Sequence, residues 1–151
     1  MYSFRNDYSE GAHPKVLQAL ADTNLRQTVG YGMDPCCQAA ADTIRRLCAA
    51  PDAAVHFLVG GTQVNLVTID AFLQSYEAVV AAQTGHVSTH ETGAIEATGH
   101  KVCTVESPDG KLTPALVESV LAGHNGTEHM VLPRMVYISD TTEIGTVYTR
   151  A

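Results

Sequence analysis

One short stretch constrains the fold more than any other. In "HFLVGGTQVN", residues 56–65, an apolar run from Val55 to Val59 stops at Gly60-Gly61. A new apolar pattern then starts with helical spacing: Val64, Val67, Ile69, Phe72, Leu73. A short apolar run bounded by glycines reads as a buried strand, and the pattern after it reads as a helix. The residues alone leave two readings of the joint. One is a plain turn with a helix cap. The other is an anion site, because a helix N-terminus offers unpaired N–H groups and glycine lets a ligand approach the backbone. The loop is neither GxxxxGK[ST] nor GxGxxG, so the commonest nucleotide loops are excluded.

The rest of the chain alternates in the same way. Pro14 opens a helix carrying Val16, Leu17 and Leu20 that ends near Asn24. Asp34-Pro35 is a second helix start, with Asp as N-cap and Pro in the first turn; its pattern stops before Pro51. A helix is expected from about Thr62 to Gln74. Ala78 to Ala82 is a further apolar run, Glu91 to Thr98 suits a short helix, and Val102 to Val105 a strand. "SPDGK" is a turn, Thr113-Pro114 caps a helix ending at Gly123, and Met135 to Ile138 is a last strand. Alternating strands and helices favour an α/β fold with a mostly parallel sheet. No repeat, linker or internal domain boundary is visible. The chain stops at "TVYTRA" soon after a strand, which points to a piece of something larger.

Bulk properties narrow the function. A hydrophobic share of 45% and a charged share of 17% describe a chain that folds. The net charge of -7 argues against nucleic acid or an anionic membrane as the main partner. No apolar segment approaches the roughly 20 residues of a membrane helix, and the polar opening is no signal peptide. Cys36, Cys37, Cys48 and Cys103 form neither a disulfide framework nor a paired CxxC site, so free thiols in the cytoplasm are expected.

Five stretches carry polar groups suited to chemistry. The first is the Gly60–Gln63 loop, with Asn65 one turn into the helix. The second holds His86, His90, Glu91, Glu96 and His100. His86 and His90 have zinc-like i, i+4 spacing, but the stretch is rich in Gly, Ser and Thr and lacks the HExxH glutamate, so no metal is expected there. A histidine near a phosphate loop can instead lie flat on an aromatic cofactor ring. The third is the opening "FRNDYSEGAHP", and the fourth is "GYGMDP" at residues 30–35. The fifth is "SDTTEIGTVY" at residues 139–148, just past a strand, where α/β sheets bind ligands.

In order and spacing, "NDYSEGAHPKVLQAL", "GYGMD", "FLVGGTQVN", "GHVSTHETGAIEATGHKV", "DGKLTP" and "SDTTEIGTVY" resemble the threonine aldolase and β-eliminating lyase group of pyridoxal-phosphate enzymes. The resemblance covers essentially the whole chain. It implies an α/β fold: part of a fold-type-I, aminotransferase-like large domain, with a mostly parallel sheet flanked by helices. It also implies that Gly61, Thr62 and Gln63 hold the phosphate of pyridoxal 5'-phosphate through backbone N–H groups and the Thr62 hydroxyl. His86 would stack on the pyridine ring, and Asn6 would help to hold the substrate carboxylate, at a position that is Ser in many aldolases. Glu143 stands where the family often has a His near the substrate hydroxyl, and it can serve as the acid–base group instead. His86 and Glu143 are therefore the candidate catalytic pair.

The implied activity is cleavage of a β-hydroxy amino acid to glycine and an aldehyde. A transaminase of the same fold and a non-catalytic remnant are the alternatives, and a metal hydrolase built on His86, His90 and Glu91 is a distant third. The family's Schiff-base lysine lies beyond residue 151, and neither Lys101 nor Lys111 stands at its motif. Residues 1–151 are thus expected to be the N-terminal part of the large domain, inactive alone. A homodimer or homotetramer acting on a small amino-acid substrate in the cytoplasm is expected, since such active sites usually draw on two subunits.

Overall fold

The computed structural model describes residues 2–150 apart from 4, 7 and 125. Phe4 and Asp7 of the polar opening thus lie outside the described residues. The backbone gathers into two compact units, Met1–Phe57 and Leu58–Ala151.

The first unit holds two helices, each started by its own sequence. Helix α1, Pro14–Thr23, begins where His13 Nδ1 accepts from the Lys15 amide at 3.2 Å. Helix α2, Pro35–Leu47, begins where Asp34 Oδ1 accepts from the amides of Cys36 at 2.9 Å and Cys37 at 3.0 Å. Proline in the first turn costs no helical hydrogen bond at either start. Arg45 and Arg46 fall in the last turn of α2, where the helix dipole favours cations. Arg45 also ties that turn to the segment after it, donating from Nε to the Ala53 carbonyl at 2.8 Å.

The second unit runs α3 (Gly61–Phe72), β1 (Glu77–Ala82), α4 (His86–Thr89), α5 (Ala94–Ala97), β2 (Lys101–Val105), α6 (Pro114–Gly123) and β3 (Leu132–Val136). Its three strands are parallel in the order β2-β1-β3. Central β1 is buried from Ala78 to Ala82, as an uninterrupted apolar run requires when helices cover both faces. Val79 and Ala81 join Ile69 and Leu73 of the α3 region, Val87 and Ile95 in one core cluster. Each fully buried Ile or Val of this kind contributes about 1.5–3 kcal/mol. Pro133 sits in β3 beside the register shift between Ala78 and Val79, a place where a missing N–H is tolerated.

Three expectations are corrected. Val55 to Val59 is not a strand: the segment carries no ladder, and Val59 is 95% exposed. An apolar run becomes a strand only when a neighbouring strand accepts it, and the β2-β1-β3 sheet has not done so. The joint at Gly60 to Thr62 therefore leads from an extended segment, not a strand, into α3. The last strand begins at Leu132 and ends at Val136, not Met135 to Ile138, because its register is set by pairing to Glu77–Val80. The expected helix from Glu91 to Thr98 is a single turn, Ala94–Ala97, because Thr92 (φ 54°) and Gly93 (φ 73°) are both left-handed and break it. By contrast, the helices capped by Asp34 and Thr113 begin where the caps predict.

Candidate active site

The order of the strands marks where a ligand belongs. From β1 the chain crosses to β2 on one side, and it later returns to place β3 on the other. β1 and β3 are neighbours, so their carboxyl ends lie side by side and form the edge at which open parallel sheets usually bind ligands. Two candidate residues flank it. His86 follows β1 and Glu143 follows β3, and His86 Nδ1 lies 2.9 Å from Glu143 Oε1.

Local sequence explains both positions. After β1 the chain turns tightly, the Gly85 amide donating to the Ala82 carbonyl at 2.8 Å. A Cβ at residue 85 would stand 3.0 Å from that carbonyl oxygen, so glycine permits the turn. His86 then opens α4. Glu143 is carried by a loop folded on itself. The Thr146 amide donates to Thr142 Oγ1 at 3.0 Å, the Thr142 amide donates to the Thr146 carbonyl at 2.9 Å, and Thr146 Oγ1 donates to the Asp109 carbonyl at 2.6 Å. Gly145 at φ 85° closes the loop.

His86 and Glu143 belong to a larger polar chain. His90 Nε2 lies 3.6 Å from Glu143 Oε2, so the two carboxylate oxygens face two different imidazoles. The His86 and His90 ring centroids are 5.4 Å apart. On the other side, His86 Nε2 is 3.9 Å from Glu91 Oε1. Asn65 Nδ2 donates to that oxygen at 2.6 Å and stands 3.5 Å from Tyr137 Oη. Side chains from α3, the 86–91 turn, the end of β3 and the loop after it thus meet in one network. The Glu91 side chain is fully buried, and its Oε2 finds no partner among the described residues. A buried polar atom left so costs about 1–3 kcal/mol.

The start of α3 has the features of an anion cradle. Gly60 is the N-cap, no side chain caps the first turn, and nothing lies within 4 Å of where a Cβ at Gly60 or Gly61 would stand. The amides of Gly61, Thr62 and Gln63 precede the first helical bond, from the Val64 amide to the Gly60 carbonyl at 3.1 Å. Thr62 is exposed. The Gln63 side chain instead closes the loop, its Oε1 accepting from the Val59 amide at 3.0 Å. Asn65 links this helix start to His86 through Glu91. The donors present at this helix start therefore fit an anionic group such as a phosphate.

The remaining candidates have surroundings of their own. Asn6 belongs to the first unit, where its Oδ1 accepts from the Tyr8 amide at 3.1 Å and Ser9 Oγ at 2.8 Å. His100 is buried at the amino end of the sheet, beside the Glu77 carbonyl at 3.2 Å and Asp70 at 3.6 Å. It does not join His86 and His90, and Glu96 is exposed. Among the described residues no group of three or more His, Cys, Asp and Glu side chains is arranged to hold a metal. Residue patterns did not single out Tyr137, whose half-buried hydroxyl lies beyond an apolar strand and carries no spacing signal. Glu91 stood out only as one member of a polar stretch and as part of the metal-hydrolase alternative.

Residues 4–151 match the family model described as beta-eliminating lyase. The chain belongs to that family. Low specificity L-threonine aldolases from Pseudomonas sp. and Pseudomonas aeruginosa are 36% and 35% identical over 147 residues, 96% of this chain and 42% of each relative. A solved structure of threonine aldolase from Leishmania major is 57% identical and superposes with a TM-score of 0.94, over 98% of this chain and 43% of that one. The chain thus spans less than half the length of the relatives it matches. Its parallel sheet flanked by helices is part of a fold-type-I, aminotransferase-like α/β large domain. Among the described residues no helix is long and apolar enough to cross a membrane.

Proposed function

We propose that this chain forms the phosphate-holding and ring-facing part of a pyridoxal-phosphate-dependent amino-acid lyase, which cleaves a β-hydroxy amino acid such as threonine to glycine and an aldehyde. The single observation carrying this reading is the run of polar side chains from Asn65 of α3 through Glu91 and His86 to Glu143, each within 3.9 Å of the next. When bound, pyridoxal 5'-phosphate supplies an electron sink for the charge left on Cα as the Cα–Cβ bond breaks. The amides of Gly61, Thr62 and Gln63 and the Thr62 hydroxyl would hold its phosphate, and His86 would face its ring. Glu143, held between His86 and His90, takes the proton from the substrate β-hydroxyl. Asn6 binds the substrate carboxylate.

Residues 1–151 are the N-terminal part of the large domain, and the Schiff-base lysine belongs to the remainder of a longer protein. Lys111 pairs with Asp109 at 3.2 Å, and Lys101 is exposed on β2. The assembly is a homodimer or homotetramer in the cytoplasm, with neither nucleic acid nor membrane as partner. A transaminase of the same fold is the second reading within this site.

The test is a pyridoxal phosphate titration followed by absorbance, on this chain and on one extended through the family's lysine. This chain binds weakly at most and releases no glycine from threonine. The extended chain binds tightly and does release it. In the extended chain, Thr62→Val loses a hydrogen bond to a charged group, about 1.5–3 kcal/mol of cofactor affinity. Robust turnover by residues 1–151 sinks the fragment reading. An extended chain that binds no cofactor sinks the cofactor assignment.

A further inference from the structure

Glu91 is the most buried ionisable side chain beside the candidate site, and the chemistry above leaves it without a task. It stands between two groups that do have one. Below it, Asn65 donates to Oε1 at 2.6 Å from the second turn of α3. Above it, the same oxygen faces His86 Nε2 at 3.9 Å, too far for a hydrogen bond but near enough for charge to act. Its other oxygen, Oε2, is buried with no partner among the described residues. A glutamate serving only as internal glue would have both oxygens engaged. The oxygen that faces the His86 ring nitrogen is the one Asn65 anchors, so the carboxylate is held fixed at the edge of that ring.

His86 has two edges. A carboxylate only accepts, so the 2.9 Å contact with Glu143 takes the Nδ1 proton as its donor and fixes that edge. The Nε2 edge faces Glu91. We propose that Glu91 is a positioning residue: anchored to α3 by Asn65, it sets the orientation of the His86 ring and so couples the anion cradle to the ring-facing histidine. Glu91 touches neither substrate nor cofactor, and it acts through His86. This inference rests on reading His86 as the residue that faces the cofactor ring. It adds a link from helix α3 to that ring which neither motif reveals alone.

Glu91→Gln keeps the shape and the acceptor for Asn65 while removing the charge. In the ligand-free 151-residue chain labelled with 15N-histidine, the ring nitrogen signals of His86 move in Glu91→Gln. The methyl signals of Ile69, Val79 and Ile95 stay in place, which separates a local effect from misfolding. Unmoved His86 signals overturn the proposal. Pyridoxal phosphate is then titrated into wild type, Glu91→Gln, His86→Ala and the double variant, with binding read from the chemical shifts. Each single change weakens binding roughly two- to tenfold, and the double variant is no weaker than His86→Ala alone. Losses that multiply in the double variant overturn the proposal, since Glu91 then acts without His86. A wild type of this length that shows no response to the cofactor agrees with the weak binding expected of it, and the ligand-free His86 signals then decide this inference by themselves.

Discussion

The two units treat the same kind of sequence signal differently. Helix α1 carries Val16, Leu17 and Leu20 at helical spacing, yet all three are more than half exposed and α1 buries no residue. In α2 only Ala41 is buried. The second unit instead closes over its central strand and the residues of α3, α4 and α5 that pack on it, although α6 buries none. Ile69 is 2% exposed, Ile95 and Val79 are 0%, and every residue of β1 after Glu77 is buried. The helix starts do not account for the contrast, since α1, α2 and α6 all have a capping residue followed by proline. The difference lies in what each apolar stripe meets. A cap is satisfied by the next two or three residues, whereas a stripe needs a second surface. The second unit supplies one with its parallel sheet.

The comparison breaks first in the sheet. Val79→Asp puts a charge into the central strand and should abolish cooperative unfolding of residues 58–151, as read by denaturant titration. Ile95→Ala opens a cavity in the same cluster and should cost about 2–5 kcal/mol in that titration. An effect below 1 kcal/mol would mean that the cluster is not a close-packed core. Thr113→Ala removes the hydroxyl that accepts from the Leu116 amide at 3.3 Å and should cost about 1 kcal/mol.

In the first unit, the Cys37 thiol and amide hydrogen-bonded to Asp34 hold its carboxyl below the usual carboxylate value. The sign follows from that direction. The cap's contribution to α2 is fully present above the ordinary aspartate pKa and is lost as pH falls through the lower folded value. Far-UV circular dichroism should therefore show helix loss on strong acidification, and Asp34→Asn should flatten that dependence while keeping a cap.

The smallest effect belongs to Leu20→Ser, which should change monomer stability by no more than about 0.5 kcal/mol. The same change sharpens the comparison in another way. Exposed stripes favour association, so light scattering should show a dimer or larger particle that Leu20→Ser weakens. A well-behaved wild-type monomer at high concentration would remove association as the use of that stripe. Tyr31, fully exposed in the "GYGMDP" loop at φ 62°, is a second place to probe.

Helix starts were legible because their causes are local. Asp34 before Pro35, Thr113 before Pro114 and Pro14 after His13 each contain both donor and acceptor within a few residues. The glycine break at Gly60-Gly61 announced α3 for the same reason. Val55 to Val59 was misread because a strand is a relation between two segments, and an apolar run names only one of them. Likewise, the three-residue error at the start of β3 followed from its register, which is set by pairing to β1 more than fifty residues earlier.

The candidate site divides in the same way. From sequence, the order of the motifs pointed to the family, and with it to Gly61, Thr62, Gln63, His86 and Glu143. Sequence by itself determined the helix caps and the supply of chemical groups. Only the tertiary structure decided that His86 and Glu143, 57 residues apart, lie 2.9 Å from each other, and that Asn65 and Glu91 join them while His100 goes to the far end of the sheet. The reason is topological. Neighbouring parallel strands bring their carboxyl ends together whatever length of chain connects them, and strand order depends on which apolar faces pack, a property of pairs that no single stretch of residues contains.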